Sequence, residues 1–459
     1  MNITCKTQKV PYPLMILSLL ILISCNKNVI EKEVSLKPNI LLIISDDQAW
    51  DDYSFMGHTV IHTPSIDKLA REGMTFRYGY VAAPLCRPSL ASIATGMYPH
   101  QHGISGNDPA FELDGLQRWS KEWNIKRAEL DRKLIERIDT FLTITSILNG
   151  HGYFSFQSGK WWEGSWKDGK FSDGMTHGDP KNGGRHGDEG LKIGREGLQP
   201  VFDFIHLAGK SQRPFFVWYA PFMPHTPHTP PDSLFQKYLP KSGNELVADY
   251  MAMVEWFDIT VGQLTDFLQQ QNLEKNTLVI YVCDNGWITN TEENRLQQYA
   301  PKSKQSPYER GIRTPIIFKW TGQIIPRMDT VSFVSSIDIL PTILDVLKIE
   351  KPVNLPGLNI LDQEKVQSRS AIFSEDFSHD MIDLETPSKS LEHLVVLNKP
   401  WKLIIPYNEM AKESALELYN ILEDPNETLN IAEENPQILN ELRQELHDFW
   451  MPAMAIDDN

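Results

Sequence analysis

The sequence has few cysteines, fewer basic than acidic residues, and no long apolar run beyond its first segment. Four cysteines occur among 459 residues, at positions 5, 25, 86 and 283. Such sparse cysteines argue against a disulfide framework, even in an oxidising compartment. The formal net charge is −16, which argues against nucleic acid as a partner. An anionic ligand would therefore need a locally basic pocket.

The one long apolar run, Leu14–Ile23, follows a basic start and is too short to span a bilayer. It leads into Ser24-Cys25, which resembles a bacterial lipobox, where cleavage precedes a cysteine that is then acylated. We therefore predict a lipoprotein signal peptide over residues 1–24, lipidation at Cys25 and a polar tether over residues 25–37. The protein would be an exported bacterial lipoprotein of the cell envelope, anchored to the membrane by this lipid alone. An ordinary signal peptide cleaved nearby is the alternative.

From Asn39 onward, short apolar runs alternate with polar clusters and helical patterns. The predicted strands are Asn39–Ile44, Tyr153–Phe156, Pro214–Tyr219, Thr277–Val282 and Thr314–Phe318. The predicted helices include Ser65–Arg71, Arg127–Leu148 and Leu246–Leu268. This alternation predicts an α/β fold with a mostly parallel central sheet covered by helices, over residues 38–362. Shorter strand-like pieces and a closing helix, Pro436–Trp450, predict a smaller C-terminal α+β domain over residues 363–459.

Polar side chains follow two of the predicted strands directly. Asp46 and Asp47 end the first, and Asp284 and Asn285 end a later one. Adjacent carboxylates repel each other unless a positive charge lies between them, and hard cations such as Ca²⁺ or Mg²⁺ prefer oxygen ligands. The alternative for either pair alone is solvated loop acids. Two such pairs, each after a buried strand, indicate one shared metal site.

Cys86 lies just before Pro88 in a segment that ends at Thr95-Gly96. Proline suits the first turn of a helix and glycine its end, so Cys86 is predicted at a helix N-terminus. There the helix dipole would favour anions and lower the pKa of the thiol. The alternative is a buried structural cysteine.

In order and spacing, these pieces resemble the type I sulfatases of the alkaline-phosphatase-like superfamily, from about residue 38 to residue 432. The matching elements are Asp46-Asp47, Cys86-x-Pro88-Ser89, Gly159-Lys160-Trp161, Pro224-His225, Asp284-Asn285-Gly286, Tyr308-Glu309, Gly311-x-Arg313-Thr314-Pro315, Asp338, Pro341-Thr342, Glu417-Leu418-Tyr419 and Asp424-Pro425. This resemblance implies an alkaline-phosphatase-like fold and a metal-dependent hydrolase.

The resemblance implies that Cys86 is oxidised by a maturation enzyme to formylglycine, whose hydrate attacks sulfur. One divalent cation, Ca²⁺ or else Mg²⁺, would be held by Cys86 together with Asp46, Asp47, Asp284 and Asn285. Basic catalytic residues implied by the match are Lys160, His225 and Lys304, with Lys302 as the alternative to Lys304. The implied reaction is hydrolysis of a sulfate ester, with a sulfated carbohydrate as the substrate and glycan degradation as the role.

The chain departs from the family at three positions. Leu90 replaces an arginine that supports the aldehyde and its formation, Trp162 replaces a substrate-contacting histidine, and Arg310 replaces a glycine. These departures leave open whether Cys86 is converted. They also keep two other functions in view: a phosphoester or phosphonate hydrolase on the same scaffold, and a lipoprotein that binds sulfated glycans without cleaving them.

A glycine-rich polar segment, residues 161–197, follows the predicted Lys160 site. Long polar segments inside a compact domain are commonly functional loops. We expect Arg185 or His186 to supply the missing positive charge or proton donor, and Trp162 to contact substrate. The alternative is a solvated loop whose tryptophans anchor it.

Overall fold

The computed structural model describes Met1, Asn2, Thr4 and residues 37–109, 115–178, 186–287, 302–407 and 415–451. The chain divides into residues 1–36 and a compact unit of residues 37–459, and the compact unit contains the described strands and helices. The predicted signal peptide, Cys25 and most of the tether lie outside the described residues. Within the described residues, no helix combines the length and the apolar character that crossing a membrane requires.

A mixed sheet forms the centre of the compact unit. Its strands are β1 (Asn39–Ser45), β2 (Met74–Tyr80), β4 (Phe154–Gly159), β5 (Asp173–Gly174), β6 (Phe215–Ala220), β7 (Thr277–Cys283), β8 (Arg313–Lys319) and β9 (Arg327–Ser335). Their order is β5-β4-β6-β1-β7-β8-β2-β9. Among the described strands of this sheet, only β8 runs antiparallel to its neighbours. This confirms the predicted mostly parallel sheet.

Helices cover both faces of the sheet because the buried strands carry apolar residues on both sides. In β1, Leu41 and Ile43 face one core cluster, while Ile40, Leu42 and Ile44 face the other. The longer helices are α1 (Pro64–Glu72), α2 (Cys86–Thr95), α4 (Lys121–Ile138), α5 (Ile144–Gly150), α6 (Gln199–Lys210), α7 (Asp232–Ser242), α8 (Glu245–Gln270) and α10 (Ile339–Val346). The short helices are α3 (Pro99–His102), α9 (Glu309–Ile312) and α11 (Gln363–Ser368).

The single helix predicted over Arg127–Leu148 is wrong. The structure ends α4 at Ile138 and begins α5 at Ile144. Thr143 and Ser146 start the second helix, since each side-chain oxygen accepts a hydrogen bond from the other residue's backbone N–H. Such a reciprocal cap satisfies two amide groups at a helix start, and the apolar spacing across the break gives no sign of it.

A second, antiparallel sheet closes the chain. Its order is β10 (Ile372–Phe377), β12 (Leu391–Asn398), β13 (Trp401–Pro406) and β14 (Glu417–Asn420), and α12 (Pro436–Phe449) packs on it. A small sheet of β3 (Asp108–Pro109) and β11 (Asp380–Met381) joins the two parts. The predicted C-terminal α+β region is thus present, and its boundary at residue 362 stays a prediction.

Candidate active site

Four neighbouring strands end at the same edge of the central sheet. The order β4-β6-β1-β7 brings together the residues that follow these strands, because parallel strands direct their carboxyl ends to one side. Those residues are Lys160 after β4, His225 after β6, Asp46 and Asp47 after β1, and Asp284 and Asn285 after β7. The site predicted from separate motifs is therefore one place in the fold.

Two buried lysines lie among the acids. Lys160 Nζ is 2.6 Å from Asp46 Oδ1 and 3.6 Å from Asp284 Oδ2. Lys304 Nζ is 2.5 Å from Asp47 Oδ1. Lys302 instead donates to the backbone oxygen of Glu427. The structure thus places Lys304, and not its alternative, beside the acids.

The acid cluster has the chemistry of a cation site. Among the described residues, the buried oxygens Asp46 Oδ2, Asp47 Oδ2, Asp284 Oδ2 and Asn285 Oδ1 have no hydrogen-bond partner. Asn285 Nδ2 donates to Asp47 Oδ1 at 2.7 Å, which leaves the amide oxygen available. Buried oxygens without a hydrogen bond are costly unless something positive binds them. The four residues therefore fit a divalent cation, which binds through such oxygens.

The pKa values reflect the same crowding of buried acids. Burial and the neighbouring Asp46 raise the pKa of Asp284 to about 7. Burial also raises the pKa of Asp46. For Asp47, burial is outweighed by Lys304, His225 and Lys160, which lower its pKa to about 2. The lysines therefore stabilise the carboxylate form of Asp47. They do not offset the burial of Asp46 and Asp284, whose pKa values stay raised.

Cys86 begins α2, as predicted, and lies at the same cluster. Its Sγ is 2.8 Å from Lys304 Nζ, and potential ligand atoms of Asp46, Asp47, Cys86 and His225 all lie within 4.8 Å of one another. The predicted lowering of the thiol pKa is wrong. Burial raises the pKa of Cys86 and outweighs the opposing effect of Lys160 and Lys304, because removing a thiolate from water is costly.

His225 is held so that one ring nitrogen faces the acids. Its Nδ1 lies 2.6 Å from the carbonyl oxygen of Thr226, and a carbonyl only accepts, so Nδ1 carries the proton. Nε2 then faces Asp47 Oδ2 at 3.5 Å. Burial lowers the pKa of His225 to about 3.

Two of the residues at which the chain departs from the family, Leu90 and Arg310, have defined contacts in the structure. Leu90 is 3% exposed and belongs to the hydrophobic core beside Ile44 and Ile93. Arg310 forms an ion pair with Asp51, with Nη2 2.7 Å from Oδ2. The cations that act on the Cys86 thiol are Lys160 and Lys304.

Trp162 and His186 lie in an aromatic wall next to the site. Lys160 Nζ is 5.9 Å from the ring centre of Trp162 and 5.5 Å from that of Phe222. His186 lies edge-on to Trp162 at 4.6 Å and stacks against Phe222 at 5.6 Å. Phe222 in turn stacks on His225 at 4.1 Å. Arg185, the other residue expected to compensate, lies outside the described residues.

Sequence reasoning did not find the buried ion pair beside the cysteine. Arg87 Nε and Nη2 each donate to a Glu163 carboxylate oxygen at 2.8 Å. Both side chains are at least 96% buried, and Asn107 Oδ1 accepts from the Arg87 amide. No local sequence pattern links two charged residues that lie 76 positions apart. The charge of Arg87 inside the Cys86 motif is only a weak sign of a buried ion pair.

Comparisons with known proteins agree with this geometry. The family model described as "Sulfatase" matches residues 38–349, and a model described as "N-sulphoglucosamine sulphohydrolase, C-terminal" matches residues 302–451. The chain is 27% identical to N-acetylgalactosamine-6-sulfatase of Canis lupus familiaris over 71% of this chain. It is 24% identical to N-acetylgalactosamine-6-O-sulfatase of Bacteroides thetaiotaomicron over 92% of this chain and 96% of that protein.

The chain covers 65% of the length of the mammalian relative. Among solved structures, the crystal structure of Ps i-CgsB in complex with k-i-k-neocarrahexaose is similar, with a TM-score of 0.68 and 23% identity over 90% of this chain and 92% of that one. This likeness supports the fold. Because the first family model matches well over half of the sequence, the chain belongs to the sulfatase family, within the alkaline-phosphatase-like superfamily.

Proposed function

We propose that the protein hydrolyses the sulfate ester of a sulfated carbohydrate, with Cys86 as the precursor of its nucleophile. The observation that carries this proposal is the position of Cys86 Sγ, 2.8 Å from Lys304 Nζ at the start of α2 and at the edge of the acid cluster. A sulfate group bound there would meet two lysines and a cluster that fits a cation. Such fixed positive charge stabilises the negative charge that develops during ester cleavage.

After oxidation by the maturation enzyme to formylglycine and hydration, residue 86 would supply a hydroxyl nucleophile for sulfur. The S–O bond of the substrate would break to release the alcohol, and the second hydroxyl of the hydrate would then expel sulfate and restore the aldehyde. Lys304 and Lys160 are held by Asp47 and Asp46 respectively, so both ammonium groups are fixed before substrate arrives. Their role is to bind sulfate oxygens and neutralise the charge that forms as the S–O bond breaks. His225, whose Nδ1 donates to the Thr226 carbonyl oxygen, directs Nε2 towards the acid cluster.

We propose Ca²⁺ as the cation, held by Asp46, Asp47, Asp284 and Asn285 together with residue 86, with Mg²⁺ as the alternative. Four oxygen donors and no imidazole among them suit a hard cation. When bound, the cation would supply Lewis-acid polarisation of sulfate oxygens. The raised pKa values of Asp46 and Asp284 indicate that these acids gain most from a neighbouring positive charge.

Support for a carbohydrate substrate comes from the relatives. The Bacteroides protein is named for N-acetylgalactosamine-6-O-sulfate chemistry, and one structural neighbour was solved with D-glucosamine-2-N,6-O-disulfate as its substrate. The aromatic wall of Trp162, His186 and Phe222 offers a surface of the kind on which sugar rings pack. We also propose that lipidation at Cys25 anchors the protein in the cell envelope. Release of a Cys25→Ser variant from the membrane fraction would support this proposal.

The first experiment is mass spectrometry of the Cys86 peptide from protein made with a sulfatase maturation enzyme. An aldehyde or its hydrate at residue 86 is the expected result and shows that Leu90 does not block conversion. The same preparation is then assayed on sulfated glycans, aryl sulfates, aryl phosphates and phosphonates, with Cys86→Ala as the control. Sulfate release that this variant lacks supports the proposal.

Two results would overturn the proposed reaction. Faster turnover of phosphate or phosphonate esters than of sulfate esters would assign the scaffold to phosphoester chemistry. An unconverted thiol together with glycan binding but no turnover would assign it to binding without cleavage.

A further inference from the structure

The glycine-rich segment contacts the turn that carries His225 through one arginine. Arg195 Nη2 donates to the backbone oxygens of Phe222 at 2.7 Å and His225 at 3.0 Å. Its Nη1 donates to the backbone oxygen of Pro227 at 3.0 Å and to Thr229 Oγ1 at 2.6 Å. One guanidinium group thus spans the turn of residues 222–229. Its rigid, planar set of donors makes this possible.

The turn held by Arg195 forms one side of the active site. His225 faces Asp47, and Phe222 stacks on His225 and lies 5.5 Å from Lys160 Nζ. The turn follows the end of β6 and contains no regular helix or strand. Its backbone is fixed by the hydrogen bond from the Asp46 N–H to the Met223 oxygen and by the contacts of Arg195. Arg195 binds the carbonyl oxygens of both Phe222 and His225.

The backbone beside Arg195 is shaped to approach this turn closely. Gly194 has φ +80°, and a Cβ at this position would lie 3.0 Å from Tyr219 Oη and 3.2 Å from Met223 Sδ. A larger residue would therefore push the segment away from the end of β6. Earlier in the segment, His186 also stacks against Phe222. The glycine-rich segment thus contacts the turn at two points.

We propose that Arg195 is a positioning residue, which acts through the turn to hold His225 Nε2 towards the acid cluster. The inference rests on the proposed hydrolysis. It assigns the glycine-rich segment a role different from that expected of Arg185 and His186: Arg195 binds backbone oxygens and thereby fixes a neighbouring side chain. Geometric errors of about 1 Å at a reacting group lower rates by about 100-fold, so the loss of this clamp has a measurable effect.

The test compares Arg195→Met and Arg195→Lys with a matched control, Arg213→Met. Arg213 also donates to backbone oxygens, those of Gly152 and Tyr153, at the opposite end of the sheet. All variants are full-length matured protein, assayed for kcat and KM on the sulfate ester that the wild type cleaves. Each is also made in a His225→Ala background.

Arg195→Met should lower kcat by about 10- to 100-fold with KM changed less than about threefold. Arg195→Lys should recover part of the rate, and Arg213→Met should match the wild type. In the His225→Ala background, Arg195→Met should cost less than about threefold, since the residue acts through His225. Equal effects in both backgrounds, or no effect of Arg195→Met, would overturn the proposal.

The proposed function can fail separately. If the matured wild type cleaves no sulfate ester, the positioning role is judged by the NMR signal of the His225 ring proton Hε1. Arg195→Met should shift or broaden that signal, while Arg213→Met should leave it in place. An unchanged His225 signal in Arg195→Met would then overturn the inference.

Discussion

Replacing Glu163 with glutamine should destabilise the protein far more than a typical surface charge change. The substitution removes the charged partner of Arg87. The side chain of Arg87 is 2% exposed and that of Glu163 is 4% exposed. Breaking a buried ion pair on one side leaves an uncompensated charge, at a cost of about 3–5 kcal/mol. For a unit of about 400 residues, that corresponds to a fall of about 3–6 °C in the thermal midpoint.

The assay is differential scanning calorimetry of Glu163→Gln, of the single variants Arg87→Met and Glu163→Leu, and of the double variant that combines these two. The double variant should lose less stability than the sum of the single variants, because apolar side chains can replace a buried pair at little cost. Glu129→Gln is the control, since Glu129 pairs with Lys126 at the exposed surface of α4, and it should leave the midpoint unchanged.

Two results would refute this reasoning. A midpoint for Glu163→Gln within about 1 °C of the wild type would mean that the pair contributes less than about 1 kcal/mol. Additive losses in the double variant would mean that the two side chains act independently.

Because Arg87 follows Cys86 directly and its amide binds Asn107, we also expect Glu163→Gln to lower the yield of converted Cys86, measured by mass spectrometry.

Four other perturbations probe the cation site, the lysines, the core and the second sheet. Ca²⁺ at about 1,000 times its Kd should stabilise EDTA-treated protein by about 4 kcal/mol in calorimetry; an equal gain in Asp284→Asn would contradict the proposed ligands. Lys304→Ala should lower kcat by about 100- to 1,000-fold in steady-state assays, whereas equal losses in Lys302→Ala would contradict the assignment. Leu90→Ala should cost about 2–5 kcal/mol of unfolding free energy in calorimetry, and a neutral result would contradict its core position. His393 has a raised pKa because the effect of Asp376 outweighs that of burial, so its contribution to stability is present below about pH 6.5 and lost as pH rises through the folded-state pKa. The thermal midpoint of His393→Gln should therefore lie below that of the wild type at pH 5.5 and approach it at pH 9. A difference that stays constant with pH would contradict this.

Much of the fold and of the acid cluster could be predicted because its signals are local. The run Asn39–Ile44 is apolar at every position after Asn39, which is typical of a strand buried on both faces, and it forms β1. Asp46-Asp47 and Asp284-Asn285 follow their strands directly. Since parallel strands share one edge for their carboxyl ends, the two pairs were predicted to form one shared metal site. The break between α4 and α5 was missed because a capping pair overrode the apolar spacing.

The sequence by itself determined the fold class, the family resemblance and the residues that could bind a cation, since each depends on patterns along the chain. Only the tertiary structure decided which contacts those residues make. It placed Lys304 and not Lys302 against Cys86, and it raised the pKa of that thiol because burial outweighs two nearby lysines. It also brought Arg195 to the turn of His225. Distances and burial arise from packing between segments far apart in the chain, and no local pattern encodes them.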